Sequence, residues 1–163
     1  MGEYIFVFGR DFQLSMLEIT SYFIARGIKF KINSFNARMA TISIENKLNF
    51  KKVIMDLGGT IKIARVLSSL DELELQNLNK IKYAFAVVDN DNKEEINAAL
   101  KKRFREERIK AFLKRSSDVG LSASDFHRHN IYIEGFELVL YKVLICLTIA
   151  VFNPKEYEFR DKR

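Results

Sequence analysis

The chain has 163 residues, of which 48% are apolar, 29% charged and 12% aromatic, enough apolar mass for one ordinary domain or two small ones. Seven glycines and one proline exclude collagen-like and proline-rich disorder. The glycines stand at 2, 9, 27, 58, 59, 120 and 135 and compose neither a G-x-G-x-x-G nor a G-x-x-x-x-G-K-[ST] loop. A Rossmann-type site for a nucleotide or for S-adenosylmethionine wants glycine at its first strand-to-helix turn, so no cofactor is expected in this chain. The lone Cys146, inside Leu144-Ile145-Cys146-Leu147, excludes an intrachain disulfide and reads as a small buried hydrophobe in a reducing, cytoplasmic setting. No signal peptide is expected. The longest apolar stretch, 143–152, is about half of the ~20 residues a membrane span needs.

The net charge of +6 is concentrated. Residues 101–115 carry eight basic and two acidic side chains, so this segment holds the whole excess of 27 basic over 21 acidic residues. A focused positive patch attracts polyanions.

In chain order, Tyr4-Ile5-Phe6-Val7-Phe8 predicts a strand ended by Gly9. Ser15-Met16-Leu17-Glu18 has the form of a capping box and predicts a helix from there to Arg26, with Leu17, Thr20 and Ile24 on one face and Gly27 at its end. Two alternating strands follow, over 28–32 and 37–45, then a helix over 50–57 stopped by Gly58-Gly59, then a strand over 60–66. The order βαββαβ is the ferredoxin-like arrangement, an antiparallel sheet with both helices on one face. Beyond it we expect a short acidic helix over 69–80 and a strand over 82–89. A long helix over 93–115 comes next, with Ile96, Leu100, Phe104 and Ala111 on one side and Lys101, Arg105, Arg108 and Arg115 on another, Phe112 among them. A short helix over 124–130 and an apolar hairpin, 135–142 with 144–152, complete the reading; no Gly, Asn or Asp marks the hairpin turn. The fold class is therefore α/β in the α+β sense, with one unit over 1–68 and a second over 69–163.

No constellation carries chemistry. His127 and His129 are the only histidines; two apart on a helix they diverge, and no third ligand accompanies them, so neither a metal site nor a catalytic residue is expected. No G-x-S-x-G is present. Asn153-Pro154-Lys155-Glu156-Tyr157 departs from the N/D-P-P-Y/F motif of amino-group methyltransferases at the second proline.

Four segments together carry a resemblance. Tyr4 to Gly9 followed by Leu14-Ser15-Met16-Leu17-Glu18-Ile19 resembles a strand and an LS-x-x-E segment. Leu57-Gly58-Gly59-Thr60-Ile61-Lys62-Ile63 resembles LGGT-x-KIA, and Gly135-Phe136-Glu137-Leu138-Val139-Leu140 resembles GFELVV. Thr148-Ile149-Ala150-Val151-Phe152-Asn153-Pro154, with Glu156-Tyr157-Glu158 and Arg160-Asp161, resembles TVAVQNP-x-EYE-x-RD. In order and spacing these are similar to the N-terminal half of the archaeal tRNA (guanine-N2) methyltransferases, a ferredoxin-like domain followed by a THUMP domain.

The resemblance implies tRNA as ligand, gripped at its acceptor end. It also implies a separate Rossmann-type, S-adenosylmethionine-dependent methyltransferase subunit as partner, with this chain a non-catalytic subunit of a split enzyme or a fragment of one. The residues expected to contact RNA are Lys101, Arg105, Arg108, Lys114 and Arg115, with Arg128 and His129 beside them. Tyr157, Phe159, Arg160 and Asp161 are the expected partner interface, by resemblance to a severed linker. Two other readings stand beside this one: a protein–protein module that forms a homodimer or docks an acidic partner, and the tRNA-binding part of another modification system such as thiolation.

Overall fold

The computed structural model describes residues 1–75, 78–117 and 120–153. The expected interface residues Tyr157, Phe159, Arg160 and Asp161 lie outside the described residues. The chain is α+β and divides into two compact units.

The first unit holds β1 (Gly2–Phe8), α1 (Phe12–Ala25), β2 (Phe30–Phe35), β3 (Met39–Ile44), α2 (Phe50–Asp56) and β4 (Thr60–Val66). Its strands lie in the order β2-β3-β1-β4, every neighbour antiparallel, which is the ferredoxin-like arrangement the βαββαβ order predicts. Phe6, Phe8, Ala40, Ile42, Ile44 and Ile63 on one face of this sheet pack with Ile19 and Phe23 of α1 and Val53 and Ile54 of α2.

Helix α1 departs from its sequence reading in two ways. It starts a turn earlier, at Phe12, because the Asp11 carboxylate accepts the Leu14 N–H at 2.9 Å and supplies the cap. The apparent capping box is used elsewhere. Ser15 is buried, its hydroxyl 2.7 Å from the Asp11 carbonyl and 2.9 Å from that of Gly59, and Glu18 accepts the N–H groups of Gly58 and Gly59 at 2.6 and 2.8 Å. The face is also different: Ile19 and Phe23 are fully buried, while Leu17 and Ile24 are 63% and 71% exposed. At the far end Gly27 closes the helix as expected, at φ +63°, with the Ile28 N–H donating to the Phe23 carbonyl at 3.0 Å.

The second unit, 67–147, opens with a single 3-10 turn, Leu70–Glu72, in place of the expected acidic helix. Then come β5 (Lys80–Val88), α3 (Lys93–Glu106), β6 (Lys110–Leu113), α4 (Ala123–Arg128), α5 (Ile131–Glu134), β7 (Gly135–Tyr141) and β8 (Leu144–Val151). The order is β8-β7-β5-β6; β5 runs parallel to both β6 and β7, and β7 and β8 form the predicted antiparallel hairpin. Ile81, Tyr83 and Phe85 of β5 pack with Ile96, Leu100 and Phe104 of α3 and with Phe136, Leu138 and Leu140 of β7.

The long basic helix expected over 93–115 ends at Glu106. Glu106 and Glu107 oppose the negative end of the helix dipole, Arg108 turns the chain at φ +56°, and the Ile109 N–H bonds to the Phe104 carbonyl at 2.8 Å. The next four residues form β6, beside β5. Arg103 is a structural cation here: its guanidinium donates to the carbonyls of Leu70 and Leu73 at 2.6 and 2.9 Å and to Glu107 at 2.7 Å.

The hairpin turn that lacked a sequence signal is made by Lys142 at φ +51°, whose carbonyl accepts from the Asn90 side chain at 2.6 Å. The second unit is also shorter than 69–163. Residues 148–153 belong to the first unit, with the Phe152 N–H bonded to the Ile61 carbonyl at 3.0 Å and Ala150 fully buried in the first core.

Candidate nucleic-acid interface

The register between β5 and β6 assembles a basic face. Lys80 pairs with Lys110, Ile81 with Ala111, Lys82 with Phe112 and Tyr83 with Leu113. Residues paired across a sheet share a face, and neighbours along a strand alternate faces. Since Ile81 and Tyr83 turn into the core with α3, Lys80, Lys82, Lys110 and Phe112 face the other way. Phe112 is 41% exposed, with the Lys110 ammonium 5.5 Å from its ring centroid. Lys114 follows directly, its N–H bonded to the Tyr83 carbonyl at 2.7 Å.

Helices α4 and α5 bring the remaining charges to this face. Ser122 caps α4 by accepting the Asp125 N–H at 3.1 Å, and the buried Glu137 of β7 holds the approach by accepting the Leu121 N–H at 2.7 Å. The Lys82 ammonium donates to the Glu134 carboxylate at 2.6 Å and to the His129 carbonyl at 3.3 Å. Arg128 pairs with Asp125 at 2.8 Å. The His129 imidazole has its proton affinity lowered, first by desolvation and then by repulsion from Lys114, Arg128 and Lys82, with Asp125 acting in the opposite sense. Glu134 is shifted down by its hydrogen bond and ion pair with Lys82, so it stays ionised.

Three of the seven residues expected to touch RNA, Lys114, Arg128 and His129, therefore converge, with Lys114, Arg128 and Lys82 all close enough to act on the His129 imidazole. Lys101 and Arg105 lie on α3, in the layer on the opposite side of the sheet, so the single basic helix face expected from the sequence is not formed. Arg108 sits before β6 and Lys114 and Arg115 after it, with the four-residue strand, about 13 Å long at ~3.3 Å per residue, between them. Lys80, Lys82 and Lys110 are site residues that the sequence does not single out, and Phe112, expected beside Lys101 and Arg105 on a helix, stands with them instead. The alternation Lys80-Ile81-Lys82-Tyr83 was their one local signal. The two histidines have different surroundings: the His127 ring lies tilted beside Tyr132, with centroids 5.7 Å apart, while His129 has Lys114, Arg128 and Lys82 near it.

Among the described residues no group of three or more His, Cys, Asp or Glu side chains is placed to hold a metal, and no helix is long and apolar enough to cross a membrane.

No protein family matches the chain, and no curated protein does. Among solved structures it is similar in fold to PH1313 from Pyrococcus horikoshii Ot3, with a TM-score of 0.53 and 11% sequence identity. The match covers 91% of this chain and 54% of PH1313, so the chain spans about half the length of that protein. At this identity the likeness is one of fold.

Proposed function

We propose that this chain is an RNA-binding module that grips tRNA through the face formed by β5, β6 and the end of α4. The observation that carries this reading is the convergence of Lys82, Lys114, Arg128 and His129, drawn from three separate stretches of chain, beside the exposed Phe112 and Lys110. Regularly placed cations suit a phosphate backbone, and an exposed ring among them suits a nucleobase. The sequence resemblance supports tRNA as the RNA and a THUMP-like role for the second unit. It also supports a guanine-N2 methyltransferase as the system served, with S-adenosylmethionine and the chemistry in a separate catalytic domain. A cytoplasmic location fits that role.

The test is tRNA binding followed against salt. With about five phosphates neutralised, log K falls against log salt with a slope of roughly −3.5 to −4.5. Changing Lys82, Lys110 and Lys114 together to Ala flattens that slope by about two units, whereas changing Lys101, Arg105 and Arg108 leaves most of it. The reverse ranking moves the site to α3. Equal binding of an acidic protein and of tRNA favours the protein–protein reading instead. Calorimetry of this chain with S-adenosylmethionine is expected to be silent, and a micromolar affinity would place the cofactor here after all.

A further inference from the structure

Resting on the RNA-binding reading above, we infer that Glu134 occupies the place of a phosphate on Lys82 and acts as a built-in competitor that RNA must displace. Lys82 emerges from β5, and its ammonium is already held by two oxygens, the Glu134 carboxylate at 2.6 Å and the His129 carbonyl at 3.3 Å. The carboxylate is half exposed and the lysine side chain 31% exposed, so both can be reached from solvent. Lys82 also shares the surroundings of the His129 side chain with Lys114 and Arg128, and the other acid there, Asp125, is committed to Arg128 at 2.8 Å.

A carboxylate and a phosphodiester are both singly charged oxygen acceptors and use an ammonium in the same way. An incoming phosphate therefore meets a lysine whose charge is already matched, and the displaced carboxylate is left as a like charge beside it. The consequence is a lowered affinity and a raised discrimination. RNA is held only where further phosphates engage Lys80, Lys110 and Lys114 at the same time, which an isolated phosphate or a short oligonucleotide does not do.

The test is a cycle of three variants, Glu134→Gln, Lys82→Met and the two together, with tRNA affinity measured by fluorescence anisotropy at several salt concentrations and thermal melts run alongside. Glu134→Gln is expected to tighten tRNA binding about fivefold to tenfold at low salt and to steepen the salt slope by about 0.7–0.9, one extra phosphate contact. In the Lys82→Met background the same change is expected to gain about twofold or less, because only the repulsion remains to be removed. Unchanged or weaker tRNA binding by a Glu134→Gln protein that melts like the parent overturns the inference alone: Glu134 would then be a strut between α5 and β5. A gain of equal size with and without Lys82 overturns it too. Failure of the unaltered protein to bind tRNA overturns the RNA-binding reading and the inference with it.

Discussion

Glu18 shows how much one side chain does when its hydrogen bonds are tertiary. Its two carboxylate oxygens take the consecutive N–H groups of Gly58 and Gly59, 40 and 41 residues away, and so tie α1 to the turn before β4. Gly59 is required there: a Cβ at this position would lie 2.6 Å from the Ser15 hydroxyl oxygen and 3.2 Å from the Glu18 carboxylate. Hydrogen bonds to a charged acceptor contribute about 1.5–3 kcal/mol, and orphaning two amides costs more than losing one partner, so Glu18→Ala should destabilise by about 3 kcal/mol and Glu18→Gln by about half as much. A urea titration of both variants checks the ranking. His129 carries the second prediction at this level. Its pKa lies below the ordinary histidine value in the free protein, and bound phosphate must raise it, so RNA binding takes up a proton. By the sign of that linkage tRNA affinity rises as pH falls from about 7.5 to 5.5, across the ordinary histidine range. Glu134, shifted the other way, stays ionised in that window and does not contribute. The His129→Gln variant should lose most of the pH dependence; an unchanged profile would remove His129 from the site. For folding the sign is the opposite: a lowered histidine pKa means stability is lost, not gained, as pH falls through that range.

Helix α1 and strand β6 make the same point about elements. Both stripes of α1 are apolar, Leu14, Leu17 and Ile24 on the outside and Ile19 and Phe23 on the inside, so spacing cannot choose which one is buried. The sheet chooses, because Phe6, Ala40 and Ile42 present their side chains to Ile19 and Phe23. Leu17→Ser should therefore leave the melting temperature almost unchanged, while Ile19→Ala should cost about 2–5 kcal/mol. Strand β6 was hidden for a related reason. Lys110-Ala111-Phe112-Leu113 continues a good helical pattern from α3, and only pairing with β5, 30 residues earlier, makes it a strand. On its other side β5 pairs with β7, and that pairing requires a glycine. A Cβ on Gly135 would fall 1.8 Å from the Lys82 carbonyl oxygen, so β7 can lie against β5 only where residue 135 has no side chain.

For the molecule as a whole, the first core is completed by residues from the far end of the described chain. Ala150 is fully buried among Phe6, Ile42 and Ile63, with Ile149 and Phe152 packed against the same cluster. Placing an unpaired charge there is costly, so Ala150→Glu should destabilise the first unit by about 3–5 kcal/mol, as much as a large core truncation such as Ile63→Ala. Hydrogen exchange is the direct measurement. Amides of β1 and β4 should lose protection in Ala150→Glu although the substitution lies more than eighty residues from either strand; retained protection would show that the first unit is complete without β8.

Composition and local pattern by themselves determined the α+β class, the βαββαβ order of the first unit and the hairpin near the end, because each rests on signals close in sequence: a strand's alternation, a run of helical spacing, a glycine at a helix end. The same local signals located the excess charge in 101–115 but placed it on one helix. Only the tertiary structure decided that α3 stops at Glu106, that β6 stands beside β5, and that Lys82, Lys114, Arg128 and His129 meet. It also decided that Ser15 and Glu18 bind a distant turn instead of capping their own helix, and that residues 148–153 return to the first unit. The physical reason is common to all of these. A parallel strand pair, a buried hydroxyl and the Lys82–Glu134 ion pair are each made with partners thirty or more residues away, and a short stretch of sequence carries no record of which partner will arrive.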